Sequence, residues 1–288
     1  MQRDKYLFLF ISVLIIFLFS LSCKRKTTEI IIIPDALKNH LQSARFFGNV
    51  KNVETYTYYY STQDSLYIFY GKTIQSYNSV GYLTQVVELD KNNDTVSKRA
   101  CYFLPNGNEN YWVEYNYKNI STTKDTLIYD KNGFKSEEYF LFNDSLLYKI
   151  QYKTDAIGSI IEMKRWFPDY HLTNKIYYNI HGLAARMEEY DPQNNLFKFV
   201  TIEYDKFGDE LNRRAYNKRN TMIEYTYSQY NNERLLLKII YEDRLHNQRE
   251  DRIYTYHDNY GNWLEEIMLQ GKDTVRKRAR GIDYYELK

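Results

Sequence analysis

The chain has 288 residues, 32 of them Tyr against only 11 Gly and 4 Pro, and a formal net charge of +2 at pH 7. So near-neutral a balance argues against a general nucleic-acid binder. Tyrosine suits a pleated surface, its ring packing on neighbours while its hydroxyl reaches water, so the composition points to sheet with much half-exposed surface.

In chain order, a charged head closing at Lys5 comes first, then an apolar run over residues 6–19 broken only by Ser12, and Ser20-Leu21-Ser22 leads into Cys23. This segment, residues 1–22 with Cys23, resembles a bacterial lipoprotein signal peptide, with Ser20 where that family favours Leu. The resemblance implies lipid on the Cys23 thiol, cleavage after Ser22, and a mature chain held to a membrane by its acylated end. A transmembrane anchor is the rival reading, but the apolar stretch over 6–21 falls short of the roughly 20 residues a spanning helix needs. With Cys23 lipidated, Cys101 is left a lone thiol in an apolar stretch, and its reading is buried and inert. Residues 23–34 form the tether. Its basic run Lys24-Arg25-Lys26 reads as a solvated linker near anionic headgroups, whereas the lipoprotein resemblance implies an acidic cluster at this place for surface export. The expected location is therefore the outer membrane, facing the periplasm. A lead-in over 35–49 holds a short helix at 35–44, with Ala36, Leu37 and Leu41 on one side.

From residue 50 to 288 the helical pattern gives way to a recurring turn: an aromatic, Asp or Asn, two free residues, then Gly. The copies end at Gly81, Gly107, Gly133, Gly158, Gly182 and Gly208, then at Asn231 in Tyr227-Ser228-Gln229-Tyr230-Asn231, and finally at Gly261. Successive final positions are separated by 26, 26, 25, 24, 26, 23 and 30 residues. A near-constant period in this range marks a repeat array. Each motif is read as a hairpin reversal, the Asp or Asn accepting from backbone two residues on and Gly supplying positive φ. A second polar cluster lies midway between these turns, as at 90–94, 143–144, 191–195 and 243–247, so each repeat holds two strands. The expectation is an all-β antiparallel meander of about 16 strands forming a long curved sheet. On one strand Tyr111, Val113 and Tyr115 share a side; Asn110, Glu114 and Asn116 share the other, where Trp112 breaks the polar pattern.

These turns, with Tyr-rich strands between them, resemble the YD repeats of the RHS class, and more closely the small repeat lipoproteins of Bacteroidetes-type bacteria. Phe47-Gly48-Asn49-Val50-Lys51-Asn52-Val53 is similar to the segment that opens those proteins, and Tyr260-Gly261-Asn262-Trp263 to the one that closes them. The residues after Gly, such as Tyr82, Phe134, Ser159 and Leu183, depart from the class, so its closed shell is not carried over.

No catalytic motif stands out. The five histidines lack zinc spacing; His171 and His181 sit around one hairpin, and His257 fills a slot held elsewhere by Tyr. Asp90, Asn92 and Asp94 alternate as calcium ligands do, but Thr95 and Cys101 stand where an EF-hand needs Gly and Glu, so turn chemistry accounts for them. The run Arg276-Lys277-Arg278 with Arg280 is read as a solvent face. The reading is a non-enzymatic envelope lipoprotein with no metal and no cofactor, presenting a Tyr-rich surface to an envelope protein or glycan, attached to the membrane through Cys23 and binding no nucleic acid. Trp112 and Trp263 are the candidate binding residues. A carbohydrate-binding lipoprotein is one alternative, and an envelope hydrolase with a site assembled from distant residues is the other.

Overall fold

Alternating half-polar segments separated by turn chemistry can bury one face only by pairing edge to edge, and the chain does so throughout. The computed structural model describes Phe46 and residues 48–286. The signal segment, Cys23, the tether and the helix expected over 35–44 lie outside the described residues. Eighteen strands follow: β1 (Val50–Ser61), β2 (Leu66–Tyr77), β3 (Leu83–Asp90), β4 (Thr95–Phe103), β5 (Glu109–Asn116), β6 (Ser121–Tyr129), β7 (Lys135–Phe142), β8 (Ser145–Thr154) and β9 (Ile160–Trp166) make the first half. The second half is β10 (His171–Tyr178), β11 (Ala184–Tyr190), β12 (Leu196–Tyr204), β13 (Glu210–Asn217), β14 (Met222–Tyr230), β15 (Leu236–Asp243), β16 (Gln248–His257), β17 (Trp263–Gln270) and β18 (Asp273–Tyr284).

Each strand pairs antiparallel with its sequence neighbours, and β1 also pairs with β18, in a register that sets Val53 against Ile282 and Thr57 against Arg278. The long curved sheet expected from the repeats therefore closes into a barrel. The eight aromatic turns join β2 through β17 in pairs; β1 and β18 are the two strands beyond that count. Left open, they would each present a row of unpaired N–H and C=O groups, and pairing them removes both edges. At this seam Phe46, Val50, Val53 and Tyr77 form the buried apolar cluster, with Leu83, Ile282 and Tyr284 against it.

Asp130 shows how the turns form. Its Oδ1 accepts from the N–H groups of Asn132 and Phe134, the Gly133 N–H donates to the Asp130 carbonyl, and Gly133 takes φ +81°. The seventh turn sits three residues later than its sequence reading. Asn231 is the accepting side chain, bonded by the N–H groups of Glu233 and Leu235, and Arg234 at φ +66° holds the glycine slot. With that correction the spacing evens out, 26 residues from Gly208 to Arg234 and 27 from Arg234 to Gly261. The aromatic residue of the motif has its own task. Tyr129 Oη donates to the carbonyl of Glu109 at 2.6 Å, Tyr178 to that of Ile160 at 2.8 Å and Tyr204 to that of Ala184 at 2.9 Å. Each ties the end of one hairpin to the turn before it. His257 Nε2 meets the equivalent carbonyl, that of Leu236, at 3.2 Å.

The two faces are distinct. Mid-strand residues that are open to solvent, such as Lys98, Tyr102, Tyr115, Ile128, Lys153, Tyr177 and Glu203, share one side of the wall, the outer. Trp112, Asp125, Phe140 and Tyr148 lie opposite one another in register on the inner side. The polar side of β5 is thus the inner one, and Tyr111, Val113 and Tyr115 point outward.

Candidate functional site: an arginine-rich inner wall

The basic run near the chain's end is not a solvent face. Strand alternation turns Lys277 outward, where its Nζ lies 2.5 Å from Glu265, and turns Arg276, Arg278 and Arg280 inward. Opposite them on β17, Glu266 is 2% exposed and lies 3.5 Å from both Arg276 and Arg278. Arg252 on β16 joins the same patch of wall and pairs with Glu250. Four guanidinium groups therefore share two carboxylates, and the Nε atoms of Arg276 and Arg280 are buried with no hydrogen-bond partner. Burial holds the Arg278 and Arg280 pKa values down, Arg280 to about 10, and the neighbouring arginines add to the effect. A patch of like charge in a poorly solvated wall is an electrostatic demand that an anion would meet.

Arg276 and Arg278 line a cavity of 680 Å³, whose wall includes Thr57, Tyr59, Gly71 and Glu88. Its acidic groups are already engaged. Asp90 Oδ1 accepts from the N–H groups of Asn92 and Asp94, with Lys118 3.6 Å from its Oδ2, and Glu88 accepts from Ser97 Oγ at 3.1 Å. Those bonds also account for the alternating acids at 90–94 as turn chemistry, and among the described residues no group of three or more His, Cys, Asp or Glu gathers as a metal site. Tyr59 and Tyr70 meet edge to face at 4.8 Å beside the cavity, 45% and 63% exposed. A smaller cavity of 120 Å³ is lined by Phe46, His257, Trp263 and Arg280, among others.

Across the ring, a different inner patch forms on β5 to β8. Asp125, 8% exposed, has one carboxylate oxygen without a partner, and its pKa is raised to about 7 by burial first and by Glu138 second. Glu138 accepts from Tyr152 Oη and lies 3.3 Å from Lys135. This is a paired carboxylate arrangement, yet neither acid lines the two cavities.

Both tryptophans singled out from sequence lie on the inner wall, but on separate strands, β5 and β17. Arg99 covers Trp112 at 4.3 Å and Arg280 covers Trp263 at 3.4 Å, so their faces are occupied by guanidinium groups. Sequence reasoning passed over Trp166, which is 38% exposed on the outer wall between Lys164 and His171. Its alternation with Lys164 was the available signal. Cys101 faces inward opposite Trp112, and burial pushes its thiol up to about 12. His171 opens β10 and His181 lies in the turn beyond its far end, so the fold separates the pair that sequence placed around one hairpin.

The outer wall carries charge at strand centres. Lys149 pairs with Glu137 at 2.8 Å, Lys238 with Asp251 at 2.7 Å and Arg214 with Glu203 at 2.5 Å. Arg186 pairs with Glu188 at 2.8 Å on the same face.

No protein-family model matches the chain, and no curated protein does. Among solved structures, it is similar to a porin-like protein from Bacteroides uniformis at 13% identity and a TM-score of 0.45, over 81% of this chain and 96% of that one. It is also similar to a chain of the TcdB2-TccC3-Cdc42 complex at 12% identity and a TM-score of 0.39, over 76% of this chain but only 14% of that one.

Proposed function

We propose that the chain is a non-enzymatic envelope lipoprotein of the YD-repeat kind, tethered through Cys23 to the outer membrane and holding a water-immersed barrel that binds or scaffolds on the periplasmic side. The observation that carries this reading is the outer wall. A barrel seated in a bilayer needs an apolar band facing lipid, and each Lys or Arg at mid-depth costs about 2–4 kcal/mol there. Lys98, Lys124, Lys149, Lys164, Lys175 and Lys238 occupy outward positions on β4, β6, β8, β9, β10 and β15, Lys149 and Lys238 within ion pairs. Such a wall belongs in water, so attachment falls to the lipid that the sequence around Cys23 resembles a signal for. Cys23→Ser tests it: the barrel leaves the membrane fraction without detergent, and palmitate labelling is lost. A Cys23→Ser chain that stays in the membrane pellet until detergent extracts it overturns the reading.

A further inference from the structure

We infer that the 680 Å³ cavity beside β18 is a binding site for a small oxyanion-bearing molecule with a flat ring, its phosphate or carboxylate held by Arg276 and Arg278. The inference deepens the binding role proposed above and rests on it.

The charge arrangement comes first. Glu266 is the nearest carboxylate to both arginines, at 3.5 Å from each, and one carboxylate cannot satisfy two forks of five donors apiece. Arg276 Nε is buried without an acceptor. Unmet guanidinium donors beside a cavity match the paired oxygens of a carboxylate or phosphate, which accept two parallel bonds from one fork. Glu88 and Asp90, the acids on the cavity wall, are held by Ser97 and by turn N–H groups, and Lys118 draws near Asp90. The wall thus keeps positive charge toward the cavity instead of neutralising itself.

The second element is shape. A volume of 680 Å³ falls within the range that suits small-molecule sites. Tyr59, on the wall, and Tyr70 at the β-bulge of β2 supply flat apolar faces next to the cations. At Gly71 an added Cβ would lie 2.4 Å from the Leu89 carbonyl oxygen, so the β2 backbone is packed closely against β3 where it forms the cavity wall. A ring on tyrosine with an anion on arginine uses both features at once.

Calorimetric titration of the full chain with phenyl phosphate tests the site, with phenol as the neutral counterpart and inorganic phosphate as the ringless one. Phenyl phosphate is expected to bind more tightly than inorganic phosphate, and phenol not to bind. Arg276→Gln and Arg278→Gln are each expected to weaken it about tenfold or more, because each removes a charge-assisted pair. Arg276→Lys, which keeps the charge and loses the fork, falls between. Arg214→Gln on the outer wall is the control and leaves binding unchanged. Unfolding followed by circular dichroism establishes that each variant is folded, and Arg276→Lys carries the comparison if Arg276→Gln is not. Absence of binding to the unaltered chain overturns the proposal, as does equal binding by folded Arg276 and Arg278 variants. Membrane release of Cys23→Ser is read separately, so failure of the tether reading leaves this measurement standing, and the reverse.

Discussion

At the scale of single residues, the turn glycines separate two costs that are usually mixed. Gly133 sits at φ +81° with no atom within 4 Å of where a Cβ would be, whereas a Cβ on Gly158, at φ +88°, would lie 2.6 Å from the Phe134 ring. Gly133→Val is expected to destabilise by roughly 1–2 kcal/mol through backbone strain alone. Gly158→Ala adds a clash to the same strain and should lower the melting temperature more than Gly133→Ala. Thermal unfolding of the two alanine variants side by side checks the order. Asp125 gives a pH prediction. Its folded pKa, near 7, stands above the ordinary carboxylate value because of burial and Glu138, so between about pH 4 and 7 the folded chain binds more protons at this position than the unfolded one. Stability from this group therefore falls as pH rises through that window. Asp125→Asn, which cannot ionise, should flatten the pH dependence of the urea midpoint between pH 5 and 7.

Among elements, the tyrosine that opens each turn acts on the neighbouring hairpin. Tyr129→Phe removes the 2.6 Å bond to the Glu109 carbonyl and is expected to cost about 1 kcal/mol, read from a urea melt. The turns themselves were legible because the Asp or Asn side chain and the glycine determine their bonds within five residues. The misplaced seventh turn shows the limit. Arg234 holds a left-handed conformation that Gly or Asn ordinarily takes, so Asn231 carries the local signal for the turn's end although it is the accepting residue. The arginines of β18 were visible as an alternation, but alternation sets only a phase. When both faces of a strand mix polar and apolar side chains, nothing local says which phase is inward. The charged outer wall and the inward Trp112, Glu114 and Arg99 reverse the usual assignment. That is why the candidate cavity was not in the sequence reading, although Arg276, Arg278 and Arg280 were.

For the whole molecule, the decisive contact is the seam between β1 and β18, more than two hundred residues apart in the chain and joined by none of the recurring turns. Removing residues 273–288 opens two edges at once, on β1 and on β17. Such a chain is expected to aggregate, as light scattering would show, where an open repeat sheet would only shorten. Orientation in the envelope is tested on intact cells: external protease should leave the barrel whole, and its digestion while a periplasmic control survives would place it on the surface.

Closure also constrains how such a protein changes over generations. An open repeat array tolerates duplication or loss of any unit, because its last member simply moves. A ring in which β1 and β18 run antiparallel closes only with an even number of strands. Gains and losses must come as whole two-strand units, each altering the girth by about 10 Å, twice the spacing between strands. Copy number thereby becomes a ruler for the size of what fits inside, and a duplication far from β18 would resize the interior while leaving Arg276 and Arg278 in place.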